Sequence, residues 1–201
     1  MAEDPIDIGV TADCLPVLDV PQQGAHDVIG SRAYSLHIEQ VMALARAHTA
    51  GLMDGGVLPV MKHIPGHGRA EVDSHHALPV VNARRQDLEQ VDFPPFAAFA
   101  DAPMAMTAHV IYTAIDRTAP ATLSRKLIKS VIRGQIGFRG LLLTDDLSMK
   151  ALSGTLSEKC QAALKAGCDM LLHCNGVLAE MREVAEAAGE LKGKSLRRAK
   201  A

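Results

Sequence analysis

The sequence predicts an α/β fold of the β/α-barrel kind, and three observations lead there. Short apolar runs alternate with stretches of helical period along the chain. Those runs are rich in Leu, Val and Met with no polar alternation, as parallel strands covered on both faces require. Each polar cluster also follows a strand directly: Asp19, His63, His109, Asp145 with Asp146, and His173 with Asn175. Pattern alone decides little between a doubly wound sheet and a barrel, but in a barrel those strand ends converge on one face, where barrel active sites lie, and this regularity favours the barrel.

In order, the first strand is expected over residues 8–14, followed by a helix on which Ile38, Val41, Met42, Leu44 and Ala45 recur at helical spacing. A second strand covers residues 57–61 and a helix residues 88–100. The third strand is Met104–Thr107, followed by a helix over residues 125–136 and a fourth strand over residues 141–144. The helix Leu156–Ala166 ends at Gly167, the fifth strand is Met170–Leu172, and the helix Leu178–Ala188 ends at Gly189. Each glycine stands where a helix C-cap would. Residues 20–31, rich in Gln, Gly and His, form a long irregular stretch that brings Arg32 to the end of the first strand.

With 201 residues and 48% hydrophobic content, the chain can bury a core and reads as one domain over residues 1–201. Its 21 basic and 23 acidic side chains are interspersed, giving a net charge of −2 and no electrostatic footprint for nucleic acid. The basic run Lys192, Lys194, Arg197, Arg198, Lys200 is expected to be a frayed, solvated tail over residues 192–201. Acids near the start and the lack of a long apolar run argue against a secretory signal or membrane span, so a soluble cytoplasmic protein is expected. Cys14, Cys160, Cys168 and Cys174 form no Cys-x-x-Cys pair and are expected as reduced thiols. Neither a Gly-x-Gly-x-x-Gly nor a Walker loop is present, which removes the usual grounds for nucleotide binding.

The chemistry concentrates in two segments. Lys62-His63-Ile64-Pro65-Gly66-His67-Gly68 with Asp73-Ser74-His75-His76 places four histidines between positions 63 and 76. Two glycines and a proline exclude a continuous helix there, so the imidazoles are expected on a functional loop and not in the core. Asp73, two residues before His75, is placed to bond one ring nitrogen, fix the tautomer and leave the other nitrogen for proton transfer. The same bond could equally serve only the loop. Thr144-Asp145-Asp146-Leu147-Ser148-Met149 ends an apolar strand, and a rigid, partly desolvated carboxylate at that lip suits a nucleophile or a metal ligand. One of the two aspartates could instead cap the next helix. Two mechanisms remain open on these residues: a retaining glycosidase with a histidine in place of the usual second carboxylic acid, or a metal-dependent hydrolase using His63, His67, His75, His109 and an aspartate. No His-x-His or His-Glu-x-x-His spacing favours the metal. A carbohydrate-binding or inert fragment without turnover is the third reading.

Taken together, Lys62-His63-Ile64-Pro65-Gly66-His67-Gly68, Asp73-Ser74-His75, Leu78-Pro79, Met106-Thr107-Ala108-His109-Val110 and Asp145-Asp146-Leu147-Ser148-Met149 resemble the bacterial β-N-acetylglucosaminidases of glycoside hydrolase family 3, cytosolic enzymes of peptidoglycan recycling. Pro16-Val17-Leu18-Asp19 and Ile29-Gly30-Ser31-Arg32-Ala33 extend the resemblance, which runs from about Ile8 to Asn175. It implies a (β/α)8 TIM-type barrel, with Asp145 as nucleophile, His75 as acid/base and Asp73 as its partner. It also implies that Arg32, Lys62 and His63 bind the N-acetylglucosamine ring, with Asp146 capping a helix. The substrate would be a small saccharide or muropeptide, with no cofactor, metal, nucleic acid, membrane or obligate protein partner. Ile64 stands where phenylalanine is more common. Members of the family are longer; about five β/α units are expected here, without the N-terminal ones and without a loop reading roughly Asp-Gln-Glu-Gly-Gly-Arg. An incomplete barrel of this kind could not close alone, and its activity could be weak or absent.

Overall fold

The structure, a computed structural model, describes residues 3–201. Five parallel strands form the main sheet: β1 (Ala12–Asp13), β2 (Leu58–Ile64), β4 (Met104–Thr107), β6 (Leu141–Asp146) and β7 (Met170–Leu172), in the spatial order β1-β2-β4-β6-β7. Successive strands are neighbours and the helices run between them, as expected for part of a β/α barrel wall. A second, two-stranded parallel sheet pairs β3 (Val80–Val81) with β5 (Ile111–Tyr112); nothing in the sequence pattern signals strands of two residues.

The helices are α1 (Glu3–Asp7), α2 (Ile38–Asp54), α3 over residues 85–97, α4 over residues 125–135, α5 (Leu156–Ala166), α6 (Leu178–Ala188) and α7 (Gly193–Ala199). Helix α2 turns Val41, Ala45 and Leu52 inward. In α5, Thr155 and Glu158 make a reciprocal capping box, and Gly167 ends the helix at φ 122°, a conformation that glycine adopts without penalty. Segments of α3 (Leu88–Asp92) and α4 (Ile128–Gln135) are π-helical. The core runs between sheet and helices through Met61, Ile64, Leu88, Phe96, Ala105, Val131, Phe138 and Leu142.

Several elements differ from expectation. Residues 8–14 yield only a two-residue strand, because Ile8 and Val10 are exposed and no neighbour covers them. Strand β2 continues past residue 61 to Ile64, so Lys62 and His63 belong to the strand and do not follow it. A register shift sets Lys62 opposite Met106 and Ile64 opposite Thr107, leaving His63 as the extra residue of a bulge. The helix expected over residues 88–100 runs over residues 85–97 instead. The tail expected to be frayed contains α7, held by charge: Arg198 Nη1 and Ser195 Oγ donate to Asp169 Oδ1, each at 2.7 Å. The other carboxylate oxygen of Asp169 accepts from Arg133 Nη2 at 2.8 Å and from the Leu142 N–H at 3.0 Å. Asp169 is buried, and two guanidinium groups offset that burial.

Candidate active site

The C-terminal ends of β2, β4, β6 and β7 open on a cleft of about 280 Å³. Asp145, Asp146, Lys62, His63, His67, His75 and Arg32 all line it, with Cys14 and Cys174 at the rim. Thus Asp145 and His75, far apart in sequence, face one space.

Asp145 stands half-buried at the lip of β6. Burial alone would raise its pKa, but the His63 and His109 imidazoles and a 2.8 Å hydrogen bond from the Asp146 N–H hold it below the usual carboxylate range. The group is therefore ionised at neutral pH, as a nucleophile must be. Asp146, expected to cap a helix, does not. Its oxygens accept from the Ser148 N–H at 2.9 Å, the Ser148 hydroxyl at 2.6 Å and the Cys174 N–H at 3.2 Å, which closes a turn after β6 and ties it to the end of β7. The next helix, α5, takes Thr155 as its N-cap.

His75 and Asp73 meet as their spacing predicts. The ring Nδ1 of His75 lies 2.7 Å from Asp73 Oδ1, which also accepts the His75 backbone N–H at 2.8 Å. Burial of Asp73 is slight, and the bonds from His75 overrule it and lower the carboxyl pKa. With Nδ1 engaged, Nε2 is free to exchange a proton; the His75 side chain is 60% exposed, so substrate can reach it.

His63 and His67 depart from the loop reading: both are buried. The reason is Asp19, a wholly buried carboxylate that accepts His63 Nδ1 at 2.7 Å, the His67 N–H at 2.6 Å and, more weakly, the His63 N–H at 3.3 Å. Burial pushes the Asp19 pKa up, but the His63 field and these bonds more than reverse it. Burial and the nearby His63 drive His67 down to about 4, so it is neutral at physiological pH. Its Nε2 lies 3.4 Å from Ser74 Oγ, whereas its Nδ1 is buried without a partner. Sequence order marked Asp19 as a strand-end polar residue but did not reveal its organising role, since its partners lie more than forty positions away.

Arg32 ends a short 3-10 turn, exposed at the cleft mouth, and donates to Val28 O. His109 lies outside the cleft lining; its Nε2–H donates to Asp146 O at 3.1 Å, and Nδ1 meets Thr122 Oγ1 at 2.7 Å. It braces β4 against β6 and is not a free metal ligand. Asn175 bonds Glu180 and the Val177 N–H, which sets the start of α6. Among the described residues no group of three His, Cys, Asp or Glu side chains could hold a metal ion.

The family model described as "Glycosyl hydrolase family 3 N terminal domain" matches residues 1–200. The chain belongs to glycoside hydrolase family 3. Curated relatives within the family include a beta-hexosaminidase of Alkalilimnicola ehrlichii, 45% identical over 179 residues that make up 87% of this chain and 51% of that protein. Another, from Chromobacterium violaceum, is 44% identical over 83% of this chain and 47% of its own length. The chain thus spans about half the length of these relatives. A solved family 3 β-N-acetylglucosaminidase from Paenibacillus superposes with a TM-score of 0.86 at 33% identity, over 93% of this chain and 36% of that one. NagZ from Neisseria gonorrhoeae, solved with N-trifluoroacetyl-D-glucosamine, gives 0.85 at 33% identity over 99% and 57%. The half-barrel is thus the fold of the family 3 N-terminal domain, incomplete in this chain.

Proposed function

We propose that this chain carries the catalytic chemistry of a retaining glycosidase that removes terminal β-linked N-acetylglucosamine from small saccharides or muropeptides. The observation that supports this most is the common cleft: an ionised carboxylate on β6 and an aspartate-oriented histidine on the loop after β2 face the same space. Asp145 attacks the anomeric carbon while His75 protonates the departing oxygen, forming a glycosyl ester. His75 then takes a proton from water, which attacks the same carbon, releases Asp145 and restores the original configuration. Arg32, Lys62 and His63 are assigned to ring binding. The relatives' names and the sugar analogue in the gonococcal structure support the aminosugar; a role in peptidoglycan recycling in the cytoplasm extends that reading. Among the described residues no helix is long and apolar enough to cross a membrane.

The test is hydrolysis of 4-nitrophenyl β-N-acetylglucosaminide, with the anomer released followed by NMR. Retention is expected, with complete loss in Asp145→Ala. A product of inverted configuration sinks the nucleophile assignment; absence of turnover in the unmodified chain sinks the claim of activity.

A further inference from the structure

The segment that carries His75 joins β2 to β3, and its two halves are held very differently. At the foot, residues 66–70 are pinned: Tyr112 Oη donates to Gly66 O at 2.6 Å, the Gln22 N–H to Gly68 O at 2.9 Å and the His26 N–H to Ala70 O at 2.7 Å. Beyond Ala70, Glu71, Val72, His75, His76 and Ala77 are exposed. Hydrogen bonds from there to Ala77 are mostly internal, from the His76 and Ala77 N–H groups to Asp73 O, and within residues 71–77 only Ser74 is buried, against His67. The direction in which the foot leaves the core therefore decides where the dyad stands.

Beside the buried His67 and Ala70, Arg69 ties the foot to a helix of the core. Arg69 Nε donates to Asp92 Oδ2 at 2.7 Å, and the Asp92 side chain is only 1% exposed. Asp92 sits on α3 between Leu88 and Phe93, both part of the main core. We infer that Arg69 and Asp92 are positioning residues which hold the His75 loop in register with Asp145 across the cleft. Burial raises Asp92 to about 6 even beside Arg69, so the carboxylate is held there at a cost, and the consequence of the pair is geometric. The inference deepens the glycosidase reading and rests on it for its catalytic consequence.

General acid assistance matters most for poor leaving groups, so a displaced His75 should penalise an alkyl glycoside far more than a nitrophenyl one. In the full chain, Arg69→Ala should lower kcat for methyl β-N-acetylglucosaminide at least about tenfold more than for the nitrophenyl glycoside, with KM nearly unchanged; misplacement by about 1 Å can cost ~10²-fold. Arg69→Lys should restore most of the loss, and Asp92→Asn should behave as Arg69→Ala does. Hydrogen exchange of residues 71–78 should quicken in Arg69→Ala while the core strands keep their protection. Equal losses on both substrates, or unchanged exchange in a folded Arg69→Ala, overturns the inference. Should the unmodified chain not turn over, the activity reading fails and the exchange comparison alone decides the positioning; if Arg69→Ala does not fold, Asp92→Asn carries the same two readouts, with Arg69→Lys as its near-native control.

Discussion

Replacing Asp92 by Asn should change how stability depends on pH, with a sign opposite to that of most carboxylates. Burial, opposed by Arg69, raises the Asp92 pKa from 3.8 to about 6. Between those values the folded chain holds a proton that the unfolded chain has released, so this group's contribution is full below pH 3.8 and fades as pH rises through 6. At ~1.4 kcal/mol per unit, a shift of about two units amounts to about 3 kcal/mol. His67 works the other way. Lowered from 6.5 to about 4, it supports the fold above pH 6.5 and withdraws about 3 kcal/mol as pH falls toward 4. In the unmodified chain the two slopes nearly cancel, and Asp92→Asn removes one of them. Urea unfolding of both proteins at pH 4, 5, 6 and 7 isolates Asp92, because every other titrating group is common to the pair. The variant should gain on the parent by about 2 kcal/mol from pH 4 to 7, most of the full swing. A flat difference refutes the reasoning, and a difference of opposite sign means that Arg69 outweighs burial and holds the carboxyl low.

Asp19→Ala should cost about 3–5 kcal/mol, because the imidazole of His63 and the His67 N–H lose a buried acceptor; a loss below 1 kcal/mol in chemical denaturation contradicts the account. Gly68→Ala should prevent or severely weaken folding, since an added Cβ would stand 2.1 Å from Val20 O, a backbone atom that cannot rotate away. Asp169→Asn should release α7, read as faster proteolysis within residues 190–201 while β6 stays protected. Iodoacetamide at pH 8 should label exposed Cys174 well before Cys168, whose thiol burial pushes up to about 12.

The long elements were legible because their signals are local. Apolar strands such as Leu141-Leu142-Leu143 and helices closed by Gly167 and Gly189 announce themselves over a few residues. The first strand failed on the same reasoning, since Ile8 and Val10 have the composition of a strand but no neighbour to bury them. At the candidate site, Asp73 and His75 were readable from a two-residue spacing that the hydrogen bond honours. Asp92 was not, and Asp19 was legible only as a polar residue after a strand, because a buried carboxylate is defined by its partners, and His63, His67 and Arg69 reach them only through the fold. For the same reason His63 reads as a loop residue until β2 is seen to run on through it.

Strands β1 and β7 border the sheet, each hydrogen-bonded on one flank only among the described residues, and all five strands point the same way. Pairing that keeps the strands parallel sets β7 of one copy against β1 of the next, whereas like borders meet antiparallel about a two-fold axis. The first kind propagates unless curvature bends the row into a ring, and the second stops at a dimer.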